Sequence, residues 1–212
     1  LYCKKVVKTM ILDMPDQFGS PGRQNSTYIG NIGPTYKDLS HSPVVPAPSE
    51  SITVSVSVAD PNGLGTISLW YNVDQGGWSV AGMTPQSDGT YSGVIPGQSG
   101  TSIVQFFVQG SDSAGAGASC PAAGAKSRAL IKIDDGLAVP DKHNVRLILR
   151  DSDSELLHEW YNLLGNERFG ATIVYNETEV FYDARVRLRG SGATRDDNQT
   201  GYNINFPADK TF

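Results

Sequence analysis

The stretch Ile52-Thr53-Val54-Ser55-Val56-Ser57-Val58 sets the fold of the first half of this chain. Apolar and small polar residues alternate strictly in it, and successive side chains of a β-strand point to opposite faces. Ile52, Val54, Val56 and Val58 are therefore expected to face a core, while the hydroxyl side chains face solvent. One apolar sheet face needs a second layer to cover it, so the pattern predicts a β-sandwich.

Further short strands follow this stretch at regular intervals. Turn signals separate them, among them Asp60-Pro61-Asn62-Gly63 and Asp88-Gly89. The predicted strands are Ile67–Val73, Trp78–Met83, Thr90–Ile95, Ile103–Val108 and Ala129–Ile133. This spacing predicts an immunoglobulin-like or fibronectin-type sandwich over residues 51–136. The run is similar to the Ig-like modules of secreted bacterial multidomain proteins.

Composition excludes some classes of partner. The 212 residues carry a formal net charge of -5, so the chain has no electrostatic reason to bind nucleic acid. No apolar run is long enough to cross a bilayer, and we expect no membrane span. No secretory signal is recognisable at Leu1, where Lys4, Lys5 and Lys8 interrupt the apolar residues. We therefore expect the chain to be part of a longer precursor.

Residues 1–50 do not have the pattern of a complete domain. Val6-Val7 and Met10-Ile11-Leu12 could supply one or two strands. The proline-rich stretch His41–Pro48 predicts a semi-extended connector, because proline removes backbone donors and fixes φ. The stretch Ser20–Asn25 resembles the closing residues of bacterial lamin-tail domains, which implies that such a domain ends here.

Residues 137–212 have a different pattern, which predicts an α+β unit. Ser152 and Glu155 form a capping box, and five apolar side chains, Leu156, Leu157, Trp160, Leu163 and Leu164, then share one helical face up to Gly165. Strands are predicted at Val145–Leu149, Ala171–Tyr175, Val180–Leu188 and Tyr202–Phe206. The whole chain is thus predicted to be mainly β, an immunoglobulin-like sandwich followed by an α+β unit. The connecting residues, Ile133–Lys142, permit either a hinge or a fixed joint.

The strand that ends near residue 189 has an unusual charge pattern. Alternation places Asp183, Arg185, Arg187 and Arg189 on one face, and like charges so close together repel one another. Arginine binds anion oxygens bidentately, and the glycines of Gly190-Ser191-Gly192 let backbone amides approach a ligand. An anion or nucleotide site formed by Arg185, Arg187, Arg189 and Ser191 is one interpretation. The other is a solvated strand paired with Glu177, Glu179 or Asp183.

This arginine-rich strand and its RG-S motif resemble the opening of CotH-type spore-coat kinase-like domains. The resemblance covers about seventy residues, from the strand at Val145–Leu149 to the Tyr-x-Ile-x-Phe strand at Tyr202–Phe206. It implies a kinase-like domain with Arg187 and Arg189 near the nucleotide. The chain departs from the family at Asp196–Gly201, which is acidic where relatives commonly have lysines, and this argues against kinase activity. The metal-binding carboxylates of such a domain would lie beyond Phe212.

Metal, disulfide and catalytic sites are weakly indicated. Asp60, Asn62 and Asp112 could hold Ca²⁺ through oxygen ligands, but ordinary turn chemistry explains the same residues, and we expect no other cofactor. Cys3 and Cys120 could form a disulfide or remain two buried thiols. No Ser-His-Asp set is evident, since His41 and His143 fall in predicted linkers and His158 on a helix surface. No catalytic residue is assigned to the chain as it stands.

The sequence therefore favours a non-catalytic structural or adhesive segment of a large secreted or cell-surface protein. Its expected partners are other protein subunits, cell-surface components or glycans. The first alternative is the start of an atypical CotH-like kinase acting on surface proteins. The second is a carbohydrate-binding sandwich, because neighbours among Trp70, Tyr71, Trp78, Tyr91, Phe106 and Phe107 must face opposite ways and some must lie outside the core.

Overall fold

The computed structural model describes residues 28–195, 200–208 and 210. All the helices and strands described below lie in Gly33–Phe212, one of the two units into which the chain divides. The predicted strands at Val6-Val7 and Met10-Ile11-Leu12, and the stretch Ser20–Asn25, lie outside the described residues.

Two antiparallel sheets form a β-sandwich in the first half of this unit. Its strands are β1 Thr35–Ser42, β2 Ile52–Ala59, β3 Leu64–Val73, β4 Ser79–Gly82, β5 Thr84–Pro85, β6 Thr90–Ile95, β7 Ile103–Asp112, β8 Gly117–Cys120 and β9 Leu130–Lys132. One sheet has the order β1-β2-β6-β5 and the other β4-β3-β7-β8, with β9 also paired to β7. This is the order of immunoglobulin-like sandwiches, in which strands A, B, E and D oppose strands C, F and G. The prediction of a mainly β sandwich is confirmed.

The alternating stretch behaves as its pattern predicts. Ile52, Val54 and Val56 are fully buried, and Val58 is 7% exposed. They pack against inward-facing side chains of the second sheet, including Leu69, Val104, Phe106 and Val108. The core thus lies between the two sheets, as in sandwiches generally.

The first strand corrects the sequence prediction, which placed His41 and Ser42 in a connector. Thr35–Ser42 pairs antiparallel with β2, and a register shift between Lys37 and Ser40 marks an irregularity. His41 is consequently in a strand and only 5% exposed. The prolines that suggested a connector begin at Pro43, directly after the strand, where the missing donor costs no ladder hydrogen bond.

The second half of the unit contains a four-stranded antiparallel sheet with the order β10-β11-β12-β13. Its elements are β10 Val145–Ile148, α1 Asp151–His158, β11 Phe169–Tyr175, β12 Glu179–Arg189, α2 Gly192–Arg195 and β13 Gly201–Asn205. The predicted β-α-β-β-β order is found, with α2 as an additional short helix. One face of the sheet packs on α1 through a core of eight buried side chains, Leu149, Leu157, Ala171, Ile173, Phe181, Ala184, Val186 and Leu188.

Helix α1 is shorter than predicted. It begins after Arg150 without a side-chain cap and ends before Glu159, so Ser152 does not cap it and Gly165 does not end it. Trp160 and Leu164, predicted to lie on the buried face, are 79% and 74% exposed. Leu157 alone among the helix residues is buried, because two turns of helix already cover the available sheet face.

The sandwich and the α+β unit share an apolar core, which we call the joint. Leu130, Ile148, Val174 and Val180 are its buried residues, and Val44, Val45, Ile103 and Tyr182 pack against them. Leu130, Val44, Val45 and Ile103 come from the sandwich side, and the others come from the four-stranded sheet. The two parts are thus in direct apolar contact, which favours the fixed joint over the hinge that the sequence also permitted.

Hydrogen bonds between side chains and the backbone reinforce the joint beside β9. The Thr172 hydroxyl donates to the Arg128 carbonyl and accepts from the Leu130 amide at 2.9 Å. The Arg128 amide donates to the Asp183 carboxylate. Thr172 is fully buried, so its hydroxyl satisfies polar groups that would otherwise be costly inside the protein.

Candidate functional site

Three arginines of β12 form an exposed row that we call the arginine face: Arg185, Arg187 and Arg189. They alternate with Ala184, Val186 and Leu188, which are all buried. Alternate residues of a strand lie about 7 Å apart, and two unit charges at that distance in water repel by about 0.6 kcal/mol. The face is therefore a pre-formed cationic row with a modest electrostatic cost.

Asp183 does not belong to this face, contrary to the sequence prediction. Its φ is +53°, and the pairing with β11 shifts register between Ala171 and Ile173. This is a β-bulge, which re-aims a side chain by inserting one extra residue. The Asp183 carboxylate accepts from the Arg128 amide of the sandwich side.

The residues beside the arginine face are neutral. The register pairs Arg185 with Asn205, Arg187 with Asn203 and Arg189 with Gly201. On the other side, Gly170 is opposite Arg185. Arg187 donates to the Asn166 side chain, and Arg168 donates to the Asn203 carbonyl at 3.4 Å, so a fourth guanidinium lies close to the row.

Two of the carboxylates that the sequence offered as partners of the row, Glu177 and Asp183, are bonded to other groups. Arg146 Nε donates to both carboxylate oxygens of Glu177, at 2.9 and 2.8 Å. Ser191 follows the row and is exposed, and its carbonyl accepts from the Thr194 hydroxyl at 3.0 Å. The acidic residues Asp196 and Asp197 lie outside the described residues. Anion binding by Arg185, Arg187, Arg189 and Ser191 stays a prediction.

Arg195 of α2 fixes the turn that follows the arginine face. Its side chain donates to the carbonyls of Gly190, Leu163 and Gly165, at 2.9, 2.8 and 2.8 Å. Arg195 is 8% exposed. A guanidinium has five donors, so one buried side chain can tie the RG-S turn to the segment after α1.

A second surface lies on the outer side of the second sheet of the sandwich, and we call it the aromatic face: Trp70, Trp78 and Val80, with Phe107 beneath them at 6% exposure. The rings of Trp70 and Phe107 are nearly parallel, with centroids 6.0 Å apart, and Trp78 meets Phe107 edge-on at 5.0 Å. Trp78 is 36% and Val80 53% exposed. Phe106 points into the core instead, as the sequence predicts for one member of each neighbouring pair.

The carboxylates considered for Ca²⁺ organise turns. Asp60 accepts from the Asn62 amide at 2.7 Å. Asp112, 2% exposed, accepts from the amides of Ala114 and Ala116 at 2.9 and 2.8 Å. Within the described ranges, no group of three His, Cys, Asp or Glu residues could hold a metal ion. Ca²⁺ binding by Asp60, Asn62 and Asp112 stays a prediction.

An ion-pair cluster closes the joint on the linker side. Arg146 donates to Asp135 at 2.7 Å, to Asp134 at 3.1 Å and to both oxygens of Glu177. Burial disfavours the charge of Arg146, but hydrogen bonds to Glu177 and Asp135 outweigh it and raise the pKa of Arg146. Burial likewise opposes the charge of Asp135, yet the bonds from Arg146 and Leu137 hold its pKa below the usual value.

A further carboxylate, Asp153 of α1, links the α+β unit to the sandwich side. Asp153 accepts from Arg128 Nε at 2.7 Å and from Arg150 Nη2 at 3.0 Å. Burial would raise the pKa of Asp153, but the hydrogen bonds and charges of Arg150 and Arg128 lower it. The sequence does not reveal this contact, because a long-range pairing of Asp153 with Arg128 leaves no local signal.

Cys120 lies at a cleft, and His143 and His158 each contact a tyrosine hydroxyl. Cys120 borders a cleft of about 830 Å³ with Tyr36 and Tyr182. Its predicted partner Cys3 lies outside the described residues, so the disulfide stays a prediction. His158 is exposed and contacts the Tyr202 hydroxyl at 2.9 Å, and His143 contacts the Tyr175 hydroxyl at 2.7 Å.

Comparisons with known proteins add little to this geometry. No family model matches the chain, and no curated protein is similar in sequence. The Br derivative of BhCBM56 overlaps with a TM-score of 0.31 and 12% identity, over 42% of this chain and 91% of that one. The uncharacterized protein lmo2446 of Listeria monocytogenes EGD-e, in complex with glucose, magnesium and calcium, overlaps with a TM-score of 0.35 and 8% identity, over 78% and 14%. At these TM-scores neither likeness carries an argument.

The part of the chain that the structure describes contains no helix long and apolar enough to span a membrane.

Proposed function

We propose that this chain is a non-catalytic structural or adhesive segment of a secreted or cell-surface multidomain protein. The observation that supports this most is the joint, the apolar core that the sandwich and the α+β unit share. A shared apolar core, the Thr172 hydroxyl and the Arg146 cluster all cross the same boundary. A connector that holds other domains in place needs a fixed joint, because a hinge would not preserve their relative orientation.

Adhesion needs surfaces free to meet partners. Strand β13 pairs with β12 on one side, and its other edge is open among the described residues. An open strand edge can accept a strand from a second chain. The aromatic face and the arginine face are the other two surfaces with distinctive chemistry.

Unfolding cooperativity tests the rigid segment. We expect fluorescence of Trp70 and Trp78 in a Trp160→Phe variant, and far-UV circular dichroism of the whole chain, to give one coincident denaturant transition. Trp160 is 79% exposed, so this substitution should leave stability unchanged. Two separated transitions, or rapid proteolysis within residues 134–144 of the folded chain, would show that the two parts move independently and would refute the proposal.

Carbohydrate recognition by the sandwich is the second candidate, and the aromatic face favours it. Trp70 and Trp78 present ring surface of the kind that packs against the apolar face of a sugar ring. Exposed Gln109 lies beside Ser68 in the register of β3 and β7, where its amide could hydrogen-bond sugar hydroxyls.

Glycan-array binding tests this candidate. We expect a neutral glycan to bind and Trp78→Ala to weaken it at least tenfold, whereas Trp160→Ala, which removes an exposed tryptophan outside the sandwich, leaves binding intact. Equal losses in both variants, or no binding to any glycan, would rule out the aromatic face as a sugar site.

The kinase-like alternative is tested by nucleotide binding. A CotH-like kinase must bind a nucleotide, and the resemblance assigns Arg187 and Arg189 to that role. Saturable ATP binding that Arg189→Ala abolishes would support the alternative over a structural segment.

A further inference from the structure

The arginine face presents one cation at every second residue of β12. Six backbone bonds separate the α-carbons of Arg185 and Arg187, and the same number separates Arg187 from Arg189. In an extended strand this gives a repeat of about 6.6–6.8 Å. Arg185 and Arg189 are exposed, and Arg187 is half-buried beside Asn166. The two ends of the row are therefore fully accessible, and its middle is partly accessible.

The residues paired with the row in the sheet are neutral, and the Arg128 side chain, which is paired with Asp153, lies over Gly170. Asn205, Asn203 and Gly201 flank the row on β13, and Gly170 lies opposite Arg185 on β11. Arg168, which reaches the Asn203 carbonyl, adds a fourth cation near the middle. The local charge is thus positive on a chain whose formal net charge is -5.

We propose that the arginine face binds an extended phosphodiester polymer with a three-carbon polyol between its phosphates, a poly(glycerol phosphate). Such a polymer also has six backbone bonds per repeat, and six bonds of extended chain span about 6.6–7.2 Å. Successive phosphates therefore match successive arginines. Guanidinium groups bind phosphate oxygens bidentately, which makes arginine better suited than lysine to this row.

Multivalency explains why a polymer, and not a single phosphate, is the ligand. Each exposed ion pair in water is weak. Several pairs formed by one chain add up, because every contact after the first is intramolecular. A small phosphate ester gains none of this advantage.

A single-stranded nucleic acid has the same six-bond repeat but fits the face less well. Proteins that bind such strands combine a cationic groove with aromatic side chains on which bases stack. The residues that flank the row in the described part of the sheet are asparagine and glycine. They offer hydrogen bonds to hydroxyl groups and no stacking surface.

The test measures binding of a synthetic glycerol phosphate oligomer, long enough to span the row, by titration at several salt concentrations. The variant is Arg185→Gln with Arg189→Gln, whose side chains are exposed and removable without exposing a core. The control is Lys37→Gln with Lys142→Gln, which makes the same change in charge at exposed lysines elsewhere. An unchanged melting temperature confirms that each variant is folded.

We expect the arginine variant to bind at least tenfold more weakly and the control to change less than twofold. The slope of log affinity against log salt should fall by roughly 1.4, since each phosphate contact on a flexible strand contributes about 0.7. An oligomer with a five-carbon polyol and the same number of phosphates has a longer repeat and should bind more weakly.

Four results in the binding titrations would overturn the inference, and a competition experiment supplies a fifth. The four are no binding of the oligomer, equal loss in the control, equal affinity for the five-carbon oligomer, and tighter binding of a single-stranded oligonucleotide with the same phosphate count. Competition by ATP or glycerol 3-phosphate at equal phosphate concentration would instead indicate a discrete small-molecule pocket and would equally refute the polymer.

Discussion

The Tyr182 hydroxyl of β12 donates a hydrogen bond to Nδ1 of His41 in β1, across the joint between the two parts of the protein. His41 Nε2 lies 3.0 Å from the Val44 carbonyl, which can only accept, so Nε2 carries the proton and Nδ1 is the acceptor. Burial lowers the pKa of His41 to about 4 and raises the pKa of Tyr182. Both groups are therefore neutral at physiological pH, and two residues 141 positions apart form one buried pair.

Acid should destabilise the protein through His41. Its pKa is about 4 in the folded protein and 6.5 for an exposed histidine, so the unfolded chain binds the proton more readily between these limits. Stability is then fully present above pH 6.5 and falls as the pH drops toward 4. Between about pH 7 and 4.5 we expect His41 to account for a loss of roughly 2 kcal/mol in the free energy of unfolding.

Urea unfolding at several pH values checks this, with wild type compared against His41→Gln. Carboxylates titrate in both proteins, so the difference between the two isolates His41. Parallel pH profiles would show that the imidazole does not control acid stability.

Removing the Tyr182 hydroxyl should destabilise the joint. Tyr182→Phe leaves the Nδ1 acceptor of a buried histidine without its donor, which costs about 1–3 kcal/mol. Tyr202→Phe is the matched control, because its hydroxyl contacts exposed His158 and water can replace it. We expect that variant to lie within about 0.5 kcal/mol of wild type. Equal effects in denaturant titrations would argue against a special role for the buried pair.

Arg146→Ala should loosen the linker from the four-stranded sheet. Its guanidinium is 12% exposed and neutralises Asp134, Asp135 and Glu177, which would otherwise repel one another. Breaking a fully buried pair costs about 3–5 kcal/mol; since these carboxylates are partly exposed, we expect about 2 kcal/mol. Hydrogen exchange of the amides at Gly136 and Leu137, which bond to Asp134 and Asp135, should accelerate in step.

The exposed Arg189→Ala variant serves as the control for Arg146→Ala. It removes the same side chain from a position with neutral cross-strand neighbours, and we expect no loss of stability. Unchanged exchange at Gly136 in the Arg146 variant would contradict the proposed role of the cluster.

Two glycines of the sandwich should respond oppositely to alanine. A Cβ at Gly97 would clash with the backbone oxygen of Ser49, whose amide donates to the Gln98 carbonyl at 2.7 Å. Gly97→Ala should therefore cost about 1–3 kcal/mol through overpacking. A Cβ at Gly82 in β4 would meet nothing within 4 Å, and Gly82→Ala should be neutral or slightly stabilising. Thermal unfolding of both variants tests this prediction. A Gly97→Ala variant as stable as wild type would show that Gly97 and the Ser49 backbone do not pack so closely.

The elements that the sequence predicted well are those whose signal is local. Strict alternation identified the buried set Ile52, Val54 and Val56, and the arginine row alternates with buried residues as its pattern predicts. Helix α1 was the least accurate element, because five apolar residues at helical spacing indicate a helix but do not say how much sheet is available to cover them.

Local patterns were enough to specify the sandwich, the β-α-β-β-β order and the alternation of the arginine face, because a period of two residues needs no distant partner to be recognised. The folded arrangement was needed to see that Thr35–Ser42 joins the first sheet, that a bulge turns Asp183 away from the arginines, and that His41 meets Tyr182. Each of these depends on which distant segments touch. The packing of two layers against each other settles that, and this constraint leaves no mark in the neighbouring residues.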